Sequence, residues 1–284
     1  MREMDLPDCD SLSRKRAQQS DEVFTSVTLY SPRCLRSVTS VEWTLGYWSN
    51  EIAVTTMTTH DDFRKTCASP TYYREKAWKR WVGFYDLFLN LVFFLPCGGE
   101  SNFRRKCVDF ATPAEGDQVL DICCGTGTLT FLIARCVGPE GQVMGIDLSE
   151  FALEIARRKA QNVPVTFERA EAENLPFASA RFDKCFISFG LHEMPKQARR
   201  NTLREISRTL RPCGRLFVVD YSLPAGALAR STIKAFVKLV EHEAAYKMLL
   251  DNSLMAEIEE SSLTIMRREL ICSGVIQLIE AVKP

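Results

Sequence analysis

Val119 to Thr130 reads VLDICCGTGTLT: an apolar run closes on Asp121, a turn built on Gly125 and Gly127 follows, and an apolar helical period resumes through Leu129, Phe131, Leu132, Ile133 and Cys136. That is the order strand, tight turn, helix. Glycines in such a turn permit positive φ and let a ligand approach main-chain N–H groups with no Cβ in the way. Two glycines alone also suit an ordinary strand-to-helix turn. Twenty residues beyond Gly127 the chain reads VMGID, a second apolar strand closed by Asp147. From that position a carboxylate can accept both hydroxyls of a ribose. The two features together point to a nucleoside cofactor.

Which cofactor is decided at the helix start. A dinucleotide loop wants a third glycine three residues after the second, and Thr130 stands there. Asp121, placed before the turn, suits a cationic ligand better than a diphosphate. With these residues the chain resembles the class I S-adenosylmethionine-dependent methyltransferases, whose first motif has the form D-x-G-x-G-x-G; Cys123 stands where the first glycine usually falls. Further on, RAEAENLPF resembles the D-A-E-x-L-P-F element of the ubiquinone and menaquinone C-methyltransferase family, and YDLFLN (Tyr85 to Asn90) resembles its Y-D-x-M-N element. EHEAAYKMLLDNS is loosely similar to the same family's Y-x-Y-L-x-x-S, with Met248 in place of the second tyrosine.

The resemblance implies a Rossmann-like α/β fold, a seven-stranded mixed sheet with helices on both faces, and S-adenosyl-L-methionine as cofactor. It implies a binding set of Asp121, Cys123, Gly125, Thr126, Gly127, Asp147, Leu148, Glu171, Ala172 and Ser188. Main-chain groups around Gly125 and Gly127 would hold the methionyl end, Asp147 the ribose, and Glu171 with Ala172 the adenine. Glu171 is one methylene longer than the family's usual aspartate and keeps the acceptor chemistry that an exocyclic amine needs.

Lys plus Arg equals Asp plus Glu at 36 each, so no basic excess points to nucleic acid. The eleven cysteines are scattered, with no C-x-x-C, and there are only three histidines. This pattern suggests reduced, mostly buried thiols in a cytoplasmic protein, and neither a disulfide framework nor a metal site. Residues 1–56 show no sustained period and are read as a disordered extension; a start at Met57 is the other reading. Residues 57–110 are expected to form a helical lid or cap, and 111–284 the methyltransferase domain. Between Tyr72 and Phe94 a basic stretch (Arg74, Lys76, Lys79, Arg80) gives way to aromatics (Trp81, Phe84, Tyr85, Phe88). Such a stretch suits a lid, core packing, or peripheral contact with an anionic membrane surface.

Later elements follow the same fold. Strands are expected over Val165 to Arg169, Phe182 onward and RLFVVDY, a single helix over Thr232 to Leu250, and a terminal hairpin around Ser273 and Gly274. Methyl transfer from a sulfonium is an in-line displacement, which needs orientation and exclusion of water more than proton-transfer groups. If the acceptor must lose a proton, His192 is the candidate catalytic base by type, with Glu193 beside it, and a structural histidine capping the strand end is the other reading; Tyr85 is the second catalytic candidate, and Tyr85 and Tyr221 are candidate pocket residues. The resembled family has no histidine at that place. The expected acceptor is a small apolar molecule, a quinone-ring carbon or a lipid amine. An NAD(P)-dependent oxidoreductase and a non-catalytic cofactor-binding relative are the competing classes.

Overall fold

The computed structural model describes Pro70 and residues 98–160, 163–240 and 243–284. The extension over 1–56, the basic and aromatic stretch over 72–94, and Tyr85 lie outside the described residues.

Helix α1 (Glu100–Ala111) precedes β1 (Gln118–Ile122), α2 (Thr128–Val137), β2 (Gln142–Asp147), α3 (Glu150–Lys159) and β3 (Val165–Arg169). Then come β4 (Phe182–Ser188), a 3-10 turn (Leu191–Glu193), α4 (Lys196–Thr209) and β5 (Leu210–Tyr221). Helices α5 (Ala227–Val240), α6 (Glu243–Asp251) and α7 (Leu254–Glu259) lead to the closing hairpin, β6 (Thr264–Ile271) and β7 (Ile276–Val282). The sheet order is β3-β2-β1-β4-β5-β7-β6. The first five strands run parallel, and β7 runs antiparallel to both β5 and β6. This is the seven-stranded mixed sheet expected from the sequence.

The central strands are apolar at nearly every position because helices cover both faces. Period two divides their side chains. Leu120, Ile122, Met144, Ile146, Cys185 and Ile187 pack on one face with Leu203 and Ile206 of α4 and with Leu254 and Ile258 of α7. Val119, Val143, Phe186 and Phe217 pack on the other with Phe103 and Cys107 of α1 and Leu129 and Ile133 of α2. Asp121 shares parity with Val119, so its side chain emerges on the face covered by α1 and α2. That parity decides which residues meet it.

Two expectations need correction. The stretch read as one helix over Thr232 to Leu250 is two helices, α5 and α6. Pro212 and Gly214, residues that ordinarily stop a helix, lie inside β5; the chain accommodates them with a left-handed Cys213 (φ 62°) and a register shift against Phe182 and Lys184. Cys107, Cys123, Cys124, Cys136 and Cys185 are free, as expected, but Cys213 and Cys272 are disulfide-bonded.

Candidate active site

Strand order reverses between β2 and β4 on either side of β1, and ligands of open α/β sheets bind outside the carboxyl ends of the strands at such a point. A cavity lies there. Its wall includes Asp121, Cys123, Cys124, Gly125 and Thr126 from the turn, Asp147 and Leu148 from the end of β2, Ala170 and Ala172, Ser188, Phe189 and Gly190 after β4, and Arg104 of α1.

The turn is stitched to the end of β2. Cys124 N donates to Ile146 O (3.0 Å), and Gly125 N donates to Asp147 Oδ2 (2.9 Å). Ser149 N donates to Asp147 Oδ1 (2.8 Å), while the Ser149 hydroxyl caps α3 by accepting from Ala152 N. Each carboxylate oxygen of Asp147 therefore holds one amide and retains acceptor capacity for a diol. Burial raises the Asp147 pKa, and the amides of Ser149, Gly125 and Leu148 pull it back.

The two glycines of the turn have different reasons. Gly125 (φ 55°) has open space where a Cβ would stand, so its backbone can be approached by a ligand. Gly127 (φ 79°) begins α2, and a Cβ there would lie 2.9 Å from the Phe167 ring and 3.2 Å from Ala156. Gly127 is bare for packing and is not in the cavity wall. Cys123 also has a left-handed backbone (φ 57°), and its side chain fills the space beside Gly190, where a Cβ would meet Cys123 Sγ at 2.7 Å.

Asp121 is 1% exposed, and Thr130 Oγ1 donates to its Oδ2 at 2.6 Å. Burial pushes its carboxyl up to about 7; the Thr130 hydrogen bond and the charge of Arg104 pull down, and Asp147 pushes up. The residue that replaces the dinucleotide loop's third glycine is thus the partner of the acid that opens the motif. Arg104 itself is buried, with Nη1 donating to Ser188 Oγ (3.1 Å) and Nε 3.4 Å from Glu100 Oε1.

Beyond the wall, His192 is buried in the 3-10 turn. Its Nδ1 lies 2.9 Å from Asp220 Oδ1, and its backbone N donates to Asp220 Oδ2 (3.1 Å). Asp220 is fully buried and also accepts from Tyr221 N (2.8 Å). The imidazole stands against the rings of Tyr221 and Phe189, with centroids 4.9 and 6.1 Å away.

The profile of the ubiE/COQ5 methyltransferase family matches residues 82–253. The chain belongs to this family. Among its ubiE/COQ5 relatives, the ubiquinone/menaquinone biosynthesis C-methyltransferase UbiE of Pseudomonas fluorescens is 30% identical over 221 residues, 70% of this chain and 84% of that one. The 2-phytyl-1,4-naphtoquinone methyltransferase of Synechococcus elongatus is 34% identical over 156 residues, 52% of this chain and 66% of that protein. The chain thus spans just under two thirds of the latter's length. A SAM-dependent methyltransferase from Aquifex aeolicus shares the fold, with a TM-score of 0.56 at 17% identity, covering 75% of this chain and all of that one. So does the [4+2]-cyclase SpnF, with a TM-score of 0.57 at 18% identity over 74% of this chain and 96% of that one. The family is one of S-adenosylmethionine-dependent methyltransferases, and the wall fits that cofactor: open backbone at Gly125, a carboxylate at the end of β2, and a buried acid for a cationic group.

Of the cofactor set named from sequence, the structure brings Asp121, Cys123, Gly125, Thr126, Asp147, Leu148, Ala172 and Ser188 into one wall. Gly127, Glu171 and His192 stand outside it; Glu171 falls between two wall residues, Ala170 and Ala172. Sequence reasoning missed Arg104, Phe189 and Met194. The signal for Arg104 was present: Phe103, Cys107, Phe110 and Ala111 repeat at helical spacing, and an arginine lies beside that apolar stripe.

Proposed function

We propose that this ubiE/COQ5 family member transfers a methyl group to a small apolar acceptor, a quinone-ring carbon before a lipid amine. The observation that carries the cofactor half is the doubly held Asp147 facing the cavity beside the open Gly125. Support for the acceptor half comes from relatives named as quinone methyltransferases.

When bound, S-adenosylmethionine supplies an electrophilic methyl on its sulfonium. The chain's own residues would orient and shield: Asp147 would take the ribose diol, the acids in the wall would face its cationic groups, and Phe189, Leu129 and Met194, which also line the cavity, would keep water from the reacting centre. Transfer to a ring carbon would be an in-line displacement at the sulfonium and would leave the ring one proton to lose. We assign that proton to His192. In support, Asp220 engages Nδ1, which directs basicity to Nε2.

The test is transfer of labelled methyl from S-adenosylmethionine to a prenylated hydroquinone and to phosphatidylethanolamine, followed as S-adenosylhomocysteine formed. Turnover with the hydroquinone supports the reading; turnover with the lipid amine alone moves the acceptor, and failure with both refutes it. His192→Gln should lower kcat with little change in cofactor affinity.

Among the described residues no helix is long and apolar enough to cross a membrane. Peripheral contact of a cytoplasmic protein with an anionic membrane is a proposal resting on the sequence of residues 72–94. Co-sedimentation with anionic liposomes at low salt tests it, and absence of binding ends it.

A further inference from the structure

We propose that Arg104 is the seat of the cofactor's methionyl carboxylate. The inference rests on the cofactor reading of the same cavity and adds a residue to it. The charged groups of the described wall are three acids, Asp121, Asp147 and Glu193, and one cation, Arg104. S-adenosylmethionine carries one carboxylate beside an ammonium, a sulfonium and a ribose diol. Three of those four groups suit acids or acceptors; the carboxylate needs a cation. A single cation in the wall and a single anion on the ligand make a matched pair.

The local geometry agrees. Arg104 is 6% exposed and has one buried anionic partner, Glu100, which engages only Nε and at a long 3.4 Å. Of the five N–H donors of a guanidinium, the contact to Glu100 uses Nε at a long 3.4 Å and the bond to Ser188 uses one Nη1 proton at 3.1 Å. These two contacts fix the plane of the guanidinium, while the Nη protons they do not use can take the two oxygens of a carboxylate together. Asp121 lies close enough for its titration to feel Arg104. Arg104 and Asp121 thus present opposite charges to one end of the cavity, as the carboxylate and ammonium on a single α-carbon require. The competing role is structural: Arg104 ties α1 to Ser188 at the end of β4, and a ligand is irrelevant.

A protein–ligand cycle on the full chain separates the two. Calorimetry measures S-adenosylhomocysteine and S-adenosyl-3-thiopropylamine, which lacks only the carboxylate, on wild type, Arg104→Met and Arg104→Lys. The expected result is that Arg104→Met weakens S-adenosylhomocysteine by about 10 to 100-fold and the carboxylate-free ligand by less than about threefold, with Arg104→Lys between. Equal losses for both ligands would show a structural role and overturn the proposal. Should Arg104→Met fail to fold, wild type alone still decides, because removing the carboxylate from the ligand should cost about the same factor; indifference to it overturns the assignment. Wild type that binds neither ligand would refute the cofactor reading itself, a different outcome.

Discussion

Cofactor binding should release a proton from Asp121, and the pH dependence of that release can be worked from the site. The carboxyl goes from an ordinary 3.8 to about 7 because it is buried on the α1 and α2 face, with Thr130 and Arg104 offsetting only part of the desolvation. A shift of that size disfavours the ionised form by on the order of 4 kcal/mol. An ammonium placed beside it restores ionisation. Free protein then carries about nine tenths of a proton on Asp121 at pH 6, about half at pH 7 and about a tenth at pH 8, and binding expels that fraction. Affinity should accordingly rise by about tenfold from pH 6 to 8 and level off above. Stability of the free protein runs the other way. The folded pKa lies above the unfolded one, so this group's contribution is present below about pH 4 and is lost as pH rises towards 7. The assay is calorimetric titration with S-adenosylhomocysteine in two buffers of different ionisation enthalpy at each pH. Asp121→Asn should bind more weakly and lose the pH-dependent release, while Thr130→Val, without the 2.6 Å donor, should move the midpoint upward. Proton release that is flat across pH 6 to 8, or unchanged in Asp121→Asn, would refute the reasoning.

Three further outcomes are expected. Asp147→Ala should weaken S-adenosylhomocysteine by at least about 100-fold and lower the melting temperature as well, because Gly125 N and Ser149 N lose their acceptor; unchanged affinity would remove Asp147 from the site. Gly190→Ala should cost about 1–3 kcal/mol in chemical denaturation, since its Cβ would stand 2.7 Å from Cys123 Sγ, and most of that cost should vanish in a Cys123→Gly background. Additive effects would show that the two sites do not compensate. Arg199→Ala should destabilise by about 3–5 kcal/mol, because it strands Glu257 (1% exposed) without its two-pronged partner at 2.7 and 2.8 Å and frees the Met194 carbonyl. A loss under about 1 kcal/mol on the same assay would show that water replaces the pair.

The parts of the site that were legible from sequence are those close together along the chain. Asp121, Gly125 and the Thr130 substitution fall within one strand, turn and helix start, and Asp147 follows at the end of the next strand, so local geometry alone brings them to one edge. The hairpin of β6 and β7 was legible for the same reason. The turn at Gly127 was legible, but what lies beside that glycine was not. A glycine with positive φ looks the same in a sequence whether a ligand or a phenylalanine ring occupies the space beside it. His192 was singled out by residue type, but its partner Asp220 lies 28 residues away, on a strand whose parity carries it to the α4 face.

The sequence by itself determined the order of the strands, the family, and the acid that closes β2 beside the glycine turn, because periodicity and motif spacing are properties of neighbouring residues. Only the tertiary structure decided which charges face each other. Whether Arg104 is a solvated surface arginine or a cation in the cavity wall depends on α1 covering the face on which Asp121 emerges. Whether Cys123 can replace a glycine depends on Gly190, which returns to the turn after β4. Both outcomes are set by burial and excluded volume between distant segments, quantities that exist only once the sheet has formed and the helices have packed on it.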